Sequence, residues 1–173
     1  GKFDWNPVKA ISIVGTRKCD SYGKLFCQAF IEAIRPHSPT IISGLAHGID
    51  AAAHLAAVEH GLPTIGCVAH GLDKLYPPLH RPLAERMKQN GGLVSEFFSE
   101  TTIAPEMFPM RNRIIAGMSD CTIVVQTDMK GGSMITAHIA QSYGREVFAV
   151  PGRVNDALSR GCHKLIKTNM AAI

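Results

Sequence analysis

The sequence contains few aromatic residues, no closely spaced cysteine pair and no long hydrophobic run. Aromatic residues make up 6% of the 173 residues, so platforms for stacking nucleobases are scarce. The closest of the five cysteines, Cys19 and Cys27, are eight positions apart, which argues against disulfide redox chemistry and zinc binding. Apolar runs of about six residues are too short for a bilayer, which needs about 20. We therefore expect no metal site and no membrane-spanning helix.

The composition indicates one folded domain with a modest positive charge. Hydrophobic residues make up 46% and charged residues 18% of the chain, which provides enough apolar surface for a core. The net charge of +4 permits an anionic partner but does not by itself indicate nucleic-acid binding. The first residues lack the apolar segment of a signal peptide. We expect a cytoplasmic protein.

Short apolar runs alternate with amphipathic segments along the chain, a pattern typical of a parallel α/β fold. The runs are rich in β-branched residues and end near glycine or proline, as expected for strands that are buried on both faces. Six strands are predicted, over residues 10–15, 40–43, 64–68, 92–97, 121–126 and 146–150. Six helices are predicted, over residues 22–34, 49–60, 81–89, 109–118, 133–143 and 160–167. We assign residues 10–168 to the domain, residues 1–9 to a linker or the edge of a preceding module, and residues 169–173 to a C-terminal tail.

Three of the predicted strand-to-helix turns combine glycine with polar or cationic residues. They are Gly15-Thr16-Arg17-Lys18 after the first strand, Ser43-Gly44-Leu45-Ala46-His47-Gly48 after the second and Lys130-Gly131-Gly132-Ser133 after the fifth. Each precedes a predicted helix, where N–H groups and the helix dipole favour phosphate. Glycine also serves tight turns that bind nothing. Because all three turns lie at one edge of a parallel sheet, we expect them to form a single anion-binding groove.

A fourth segment, Phe108-Pro109-Met110-Arg111-Asn112-Arg113, begins a predicted helix and contains two arginines. Pro109 suits the first helical position. Arg111 and Arg113 lie about 200° apart around a helix axis, so they cannot both face one groove in the same way. Phosphate binding and a structural ion pair are the alternatives for these side chains.

The sequence lacks the motifs of dinucleotide-binding and triphosphate-hydrolysing sites. The spacing of Gly44 and Gly48 does not match GxGxxG, no acidic residue ends the second strand, and GxxxxGK[ST] is absent. Asp50 is expected in the first turn of a helix, where it complements the dipole. No GxSxG elbow or local cysteine-nucleophile motif occurs. We expect no cofactor and no catalytic residue.

Several motifs, in order along the chain, resemble those of the DNA-processing protein A (DprA, also called Smf) family. The motifs are Ile13-Val14-Gly15-Thr16-Arg17, residues 43–54, Gly71-Leu72-Asp73-Lys74-Leu75-Tyr76-Pro77, residues 108–117, Gly132-Ser133-Met134-Ile135-Thr136-Ala137 and residues 144–152. The resemblance extends from about residue 10 to residue 168. It implies an α/β domain with an extended Rossmann-like, three-layer fold, in which a mostly parallel sheet carries helices on both faces.

The resemblance also implies a function. The family binds and protects single-stranded DNA, forms homodimers and helps to load the RecA recombinase during natural transformation and recombination, without catalysing a reaction. The residues expected to contact the strand are Gly15, Thr16, Arg17, Lys18, Ser43, Gly44, Leu45, Ala46, His47, Gly48, Arg111, Asn112, Arg113, Lys130, Gly131, Gly132 and Ser133. The sequence departs from the family pattern at His47, where arginine is frequent, and at residues 131–133, where Ser-Gly-Ser is common. A neutral imidazole can still donate to a phosphate.

Two other classes of protein are alternatives. Rossmann-like nucleotide hydrolases, similar to the lysine-decarboxylase-like family, carry a Pro-Gly-Gly-x-Gly-Thr-x-x-Glu turn with a catalytic glutamate. The turn that begins at Lys130 has no carboxylate at that position, so a hydrolase would lack its general acid or base. The other alternative is a protein-binding scaffold in which the glycine-rich turns are only structural.

Two further expectations concern aromatic and apolar side chains. Phe108, Tyr22 and Tyr76 are the candidates for stacking against bases, although each could instead pack in the core or a loop. The apolar residues Leu165, Ile166 and 170–173 are expected to form an exposed cluster that supports dimerisation.

Overall fold

The computed structural model describes residues 1–173, in which six strands and six helices alternate along the chain. The strands are β1 (Ala10–Gly15), β2 (Thr40–Ser43), β3 (Thr64–Cys67), β4 (Gly91–Val94), β5 (Cys121–Val125) and β6 (Glu146–Ala149). The helices are α1 (Ser21–Ile34), α2 (Ile49–Glu59), α3 (Arg81–Met87), α4 (Met107–Gly117), α5 (Gly132–Ser142) and α6 (Arg160–Lys167). Short 3₁₀ helices occur at Arg35–His37, Pro78–His80 and Ala157–Ser159. None of the helices combines the length and the hydropathy that crossing a membrane would require.

The six strands form one parallel sheet in the order β4-β3-β2-β1-β5-β6. This confirms the predicted α/β Rossmann-like fold. From β1 the chain adds strands outward to β4, then returns to place β5 on the other side of β1. The strand order therefore reverses between β1 and β5. In open α/β sheets, the crevice beyond the carboxyl ends of the strands at such a point is where ligands bind.

Helices cover both faces of the sheet because successive strand residues point to opposite sides. In β1, Ile13 packs into a core with α1 and α2, whereas Val14 packs into a second core with α4, α5 and α6. In β5, Ile123 packs into the same core as Ile13, and Val124 packs into the same core as Val14. This is the two-sided burial that the continuous apolar runs predict.

The predicted bounds of the elements are close to the observed ones, with one larger difference at β4. That strand ends at Val94 instead of residue 97. The Ser95 hydroxyl donates to the carbonyl oxygen of His70 at 2.6 Å and accepts from the N–H of Phe97 at 3.1 Å. These side-chain hydrogen bonds take the place of the backbone hydrogen bonds of the sheet and end the strand.

Both terminal segments contact edges of the sheet. Lys2 forms an antiparallel bridge with Gly91 of β4, and Ala172 forms a parallel bridge with Phe148 of β6. Leu165 is fully buried and Ala171 is 9% exposed, so most of the C-terminal apolar residues belong to the core. The expected exposed apolar cluster is therefore wrong, since Ile173 alone among the large side chains near this end is strongly exposed.

Candidate nucleic-acid interface

A cavity of about 570 Å³ lies where the strand order reverses, between the loops that follow β1 and β5 and the first turns of α4. A smaller hollow adjoins it beside the loop that follows β2. All four predicted segments contribute to the cavity or the hollow. The predicted residues that line one or the other are Gly15, Thr16, Arg17, Gly44, Ala46, His47, Arg111, Asn112, Gly131, Gly132 and Ser133. Those that line neither are Lys18, Ser43, Leu45, Gly48, Arg113 and Lys130.

The loop after β1 is fixed by its backbone and presents an exposed cation. The N–H of Thr16 donates to the carbonyl oxygen of Gln126 at 2.7 Å, and the carbonyl oxygen of Thr16 accepts from the N–H of Ile49 at 3.2 Å. These bonds join the loop to the end of β5 and to the start of α2. Arg17 follows at the cavity rim, with its guanidinium 5.3 Å from the centre of the Phe108 ring.

The loop after β2 serves mainly structural contacts. The Ser43 hydroxyl donates to the carbonyl oxygen of Ile13 at 2.6 Å, and Leu45 is fully buried. The N–H of Ala46 donates to Asp50 Oδ2 at 3.3 Å. Gly48 has a φ of +78°, a conformation that favours glycine, and it packs against Thr16. The carboxylate of Asp50 therefore takes up a donor that was expected to be available to a phosphate.

Asp50 lies in the first turn of α2, as predicted, but it is also buried. Burial raises the pKa of Asp50, while the neighbouring Arg111 guanidinium and the N–H groups of the turn oppose that rise. The Asp50 carboxylate is thus stabilised by the Arg111 charge as well as by the helix dipole.

The start of α5 presents backbone donors that have no partner in the protein. Gly131, at the N-cap, makes no side-chain cap, and its own N–H donates to the carbonyl oxygen of Asp128 at 3.0 Å. The N–H groups of Gly132 and Ser133 have no acceptor. The Ser133 hydroxyl donates to Thr127 Oγ1 at 2.7 Å, so Ser133 offers its backbone rather than its side chain. These two N–H groups are free donors at the position where the strand-end pattern predicts an anion site.

Arg111 joins the ends of two strands and lines the cavity at the same time. It is 4% exposed, and its Nη1 donates to the carbonyl oxygens of Gly44, at 2.7 Å, and Cys67. Its Nε donates to Asn112 Oδ1 at 3.3 Å, whereas Nη2 has no acceptor. Burial lowers the pKa of Arg111, and Asp50 opposes that shift. Arg111 is therefore a buried cation that links the ends of two strands and has one nitrogen atom, Nη2, without an acceptor.

Gly44 leaves room for this pair of buried charges. A Cβ at Gly44 would lie 2.6 Å from Asp50 Oδ2 and 2.7 Å from Arg111 Nη2. Any side chain at this position must displace one of the two groups, so glycine is required here by packing.

Arg113 lies on the opposite side of α4 and forms an exposed ion pair with Glu96. Of the two alternatives for these arginines, Arg111 faces the cavity and Arg113 forms the ion pair. Lys18 and Lys130 are exposed cations outside the cavity lining. They belong to the same loops as Arg17 and Gly131.

Two of the three candidate stacking residues lie at the cavity. Tyr76 and Phe108 are in edge-to-face contact, with their ring centres 6.0 Å apart, and both line the cavity and the hollow. Tyr76 is 45% exposed. Tyr22 lies elsewhere, since its hydroxyl donates to the carbonyl oxygen of Pro151 at 2.6 Å. The cavity rim thus combines two aromatic rings with Arg17.

A buried histidine lies between α2 and β3. The Thr64 hydroxyl donates to the carbonyl oxygen of Ile41 at 3.0 Å, so His54 Nδ1 must be the donor in its 2.7 Å bond to Thr64 Oγ1. His54 Nε2 has no partner. Burial lowers the pKa of His54 to about 3, with smaller contributions from His80 and Arg111. His54 is therefore neutral at physiological pH.

Several residues that line the cavity were not among those predicted to contact the strand, among them the polar Thr127, Asp128 and Thr136. Thr127 and Asp128 directly follow β5, and Thr136 lies one helical turn after Ser133. The strand-end rule and helical periodicity could have identified them. Asp128 Oδ1 accepts from the N–H of Met129 at 2.8 Å and lies 3.7 Å from Arg160 Nε.

Comparisons with known proteins agree with this architecture. The family model for DNA recombination-mediator protein A matches residues 1–173. DNA processing protein DprA of Bacillus subtilis is 44% identical over 165 residues, which cover 95% of this chain and 56% of the relative. The chain thus spans little more than half the length of that relative.

Two solved structures show the same fold. The X-ray structure of DNA processing protein A from Streptococcus pneumoniae superposes with a TM-score of 0.88 at 37% identity, covering 95% of this chain and 58% of that one. A second structure, of DNA processing protein A from Helicobacter pylori, addresses the single-stranded DNA binding mode of that protein. It superposes with a TM-score of 0.87 at 31% identity, covering 96% of this chain and 75% of that one. This chain therefore belongs to the DNA recombination-mediator protein A family, the DprA or Smf family that its glycine-rich motifs resemble.

Proposed function

We propose that this chain binds single-stranded DNA at the cavity between the β1 and β5 loops. The observation that carries the proposal is the pair of unpaired N–H groups of Gly132 and Ser133, which lie in one cavity with Arg17 and Arg111. A strand phosphate fits the two N–H groups, and the exposed Arg17 supplies a cation at the rim. The related Helicobacter pylori protein, whose structure concerns single-stranded DNA binding, supports the same ligand.

The contacts in this proposal favour single strands over duplexes. Backbone N–H groups and arginine contact phosphates rather than base edges, so sequence preference is slight. The exposed face of Tyr76 and the ring of Phe108 are available only to bases that are unpaired. A duplex is stiff over its persistence length of about 150 bp and cannot bend into a crevice of this size.

Family membership supports two further partners. We propose that the protein helps to load the RecA recombinase onto single-stranded DNA in the cytoplasm during transformation and recombination, and that it acts as a homodimer without catalysing a reaction. The name of the family, recombination-mediator protein, supports the recombination role. The dimer is tested by sedimentation at tens of micromolar, with this chain and with a longer one. A monomer for both chains would contradict the proposed homodimer.

Fluorescence anisotropy of labelled oligothymidine tests the DNA-binding proposal. If three or four phosphates are neutralised, the slope of log affinity against log salt is about −2 to −3, at about −0.7 per phosphate. A duplex of equal length binds more weakly. Equal affinity for the duplex contradicts the preference for single strands, and a slope near zero contradicts phosphate binding and favours a protein-binding scaffold.

A further inference from the structure

The cavity is larger than contacts to a strand's backbone require. Its volume of about 570 Å³ falls within the range of about 300–1,000 Å³ that is usual for small-molecule sites. Phosphate contacts alone need only a shallow surface that presents donors. This half-open cavity has room for a complete nucleotide.

One part of the cavity is built for a phosphate group. The N–H groups of Gly132 and Ser133 have no acceptor in the protein. Arg111 provides an independent indication, because it is 4% exposed and lines the cavity while its Nη2 has no acceptor. The Asp50 carboxylate lies near the Arg111 charge, but the buried Nη2 donor still lacks an acceptor, which is costly unless a ligand or water accepts from it.

Another part of the cavity suits a nucleoside. Tyr76 and Phe108 supply aromatic surface at the rim, and Val14 and Ile115 supply aliphatic surface. The mixture of aromatic, aliphatic and hydrogen-bonding groups is typical of sites for small organic ligands.

The charges that line the cavity select among nucleotides. The lining carries two cations, Arg17 and Arg111, and one acidic residue with an exposed carboxylate, Asp128, because the Asp50 carboxylate is buried near Arg111 and accepts from the N–H of Ala46. A triphosphate brings more negative charge than a monophosphate into the same space, where the Asp128 carboxylate opposes it.

We propose that the cavity is a pocket for one nucleotide and that it binds free nucleoside monophosphates, which compete with the DNA strand. This proposal rests on the proposed function, because it places the free nucleotide in the site of one nucleotide of the bound strand. Nucleoside monophosphates released by DNA degradation would then reduce strand binding.

Calorimetry with thymidine 5′-monophosphate, thymidine, inorganic phosphate and thymidine triphosphate tests the proposal, together with displacement of labelled oligothymidine. We expect the monophosphate to bind with a dissociation constant of about 1 mM or tighter and to displace the oligonucleotide. Thymidine, phosphate and the triphosphate should each bind about tenfold more weakly or worse. The variant Gly132→Val should lose monophosphate binding, whereas Arg86→Ala, which removes an exposed cation of α3, should retain it.

The outcomes separate this proposal from the proposed function. Oligonucleotide binding without binding of the monophosphate overturns the nucleotide pocket and leaves the DNA site in place. Failure of both ligands overturns both proposals. Inorganic phosphate that binds as tightly as the monophosphate, or monophosphate binding that neither displaces the strand nor responds to Gly132→Val, also overturns the pocket.

Discussion

Replacement of Gly132 separates the role of the α5 N-terminus in DNA binding from its role in the fold. A Cβ at this position meets no atom within 4 Å, and Gly132 lines the cavity. The change Gly132→Val therefore adds a side chain at the cavity whose Cβ contacts no other part of the protein. The added methyl groups occupy space through which a phosphate must reach the N–H groups of Gly132 and Ser133.

The size of the effect follows from the bonds that are lost. A hydrogen bond to a charged group contributes about 1.5–3 kcal/mol, so loss of one or both bonds lowers affinity by about tenfold or more. Oligothymidine anisotropy measures this loss, and the thermal midpoint is expected to stay close to that of the unmodified protein. The matched control is Gln141→Val, which places the same side chain on the exposed far end of α5. Affinity of Gly132→Val equal to that of the control would refute this reasoning.

Three other predictions concern charged and titratable side chains. Arg17→Ala should weaken oligothymidine binding and reduce the magnitude of the salt slope by about 0.7, the value for one phosphate, whereas Arg86→Ala should change neither in the same anisotropy titrations. Arg111→Ala should lower the free energy of unfolding by about 3–6 kcal/mol because it removes two hydrogen bonds from a charged donor to the carbonyl oxygens of Gly44 and Cys67, at about 1.5–3 kcal/mol each, whereas the exposed Arg113→Ala should cost less than about 1 kcal/mol; equal midpoints in urea would contradict this contrast. Because burial lowers the pKa of His54 from 6.5 to about 3, the unfolded chain binds a proton that the folded chain does not. Stability should therefore fall as pH drops below 6.5, by up to about 1.4 kcal/mol per pH unit, and His54→Gln should show a smaller slope between pH 6.5 and 5 in urea titrations.

Much of the site could be predicted because it depends on local rules. The position of a turn after a strand decides whether it lies at the carboxyl edge of the sheet, so Gly15, Arg17 and Gly132 could be placed at one edge from the sequence alone. The helical repeat likewise predicts that Arg111 and Arg113 point to opposite sides of α4. The family resemblance, which rests on these motifs, is confirmed by the matches to known proteins.

Other features depend on tertiary packing that no local pattern contains. Strand order places the cavity between β1 and β5, and periodicity does not encode that order. Which arginine of α4 is buried depends on how the helix packs against the ends of β2 and β3, where Arg111 contacts Gly44 and Cys67. The hydrogen bond from Ala46 to Asp50 likewise joins residues whose approach depends on the folded turn. The sequence therefore predicts an anion site at the loop after β2, whereas in the folded protein the N–H of Ala46 in that loop is already paired with Asp50.

Amide chemical shifts during an oligothymidine titration test the central claim most directly. In ¹⁵N-labelled protein, we expect the largest shift changes at the amides of Gly132, Ser133 and Arg17, the residues of the proposed phosphate contacts that line the cavity. Smaller changes are expected at Ala46, whose N–H donates to Asp50. The largest changes at Ala46, or in the loop that contains Arg153 and lines a separate cavity, would contradict a single-stranded DNA site at the α5 N-terminus.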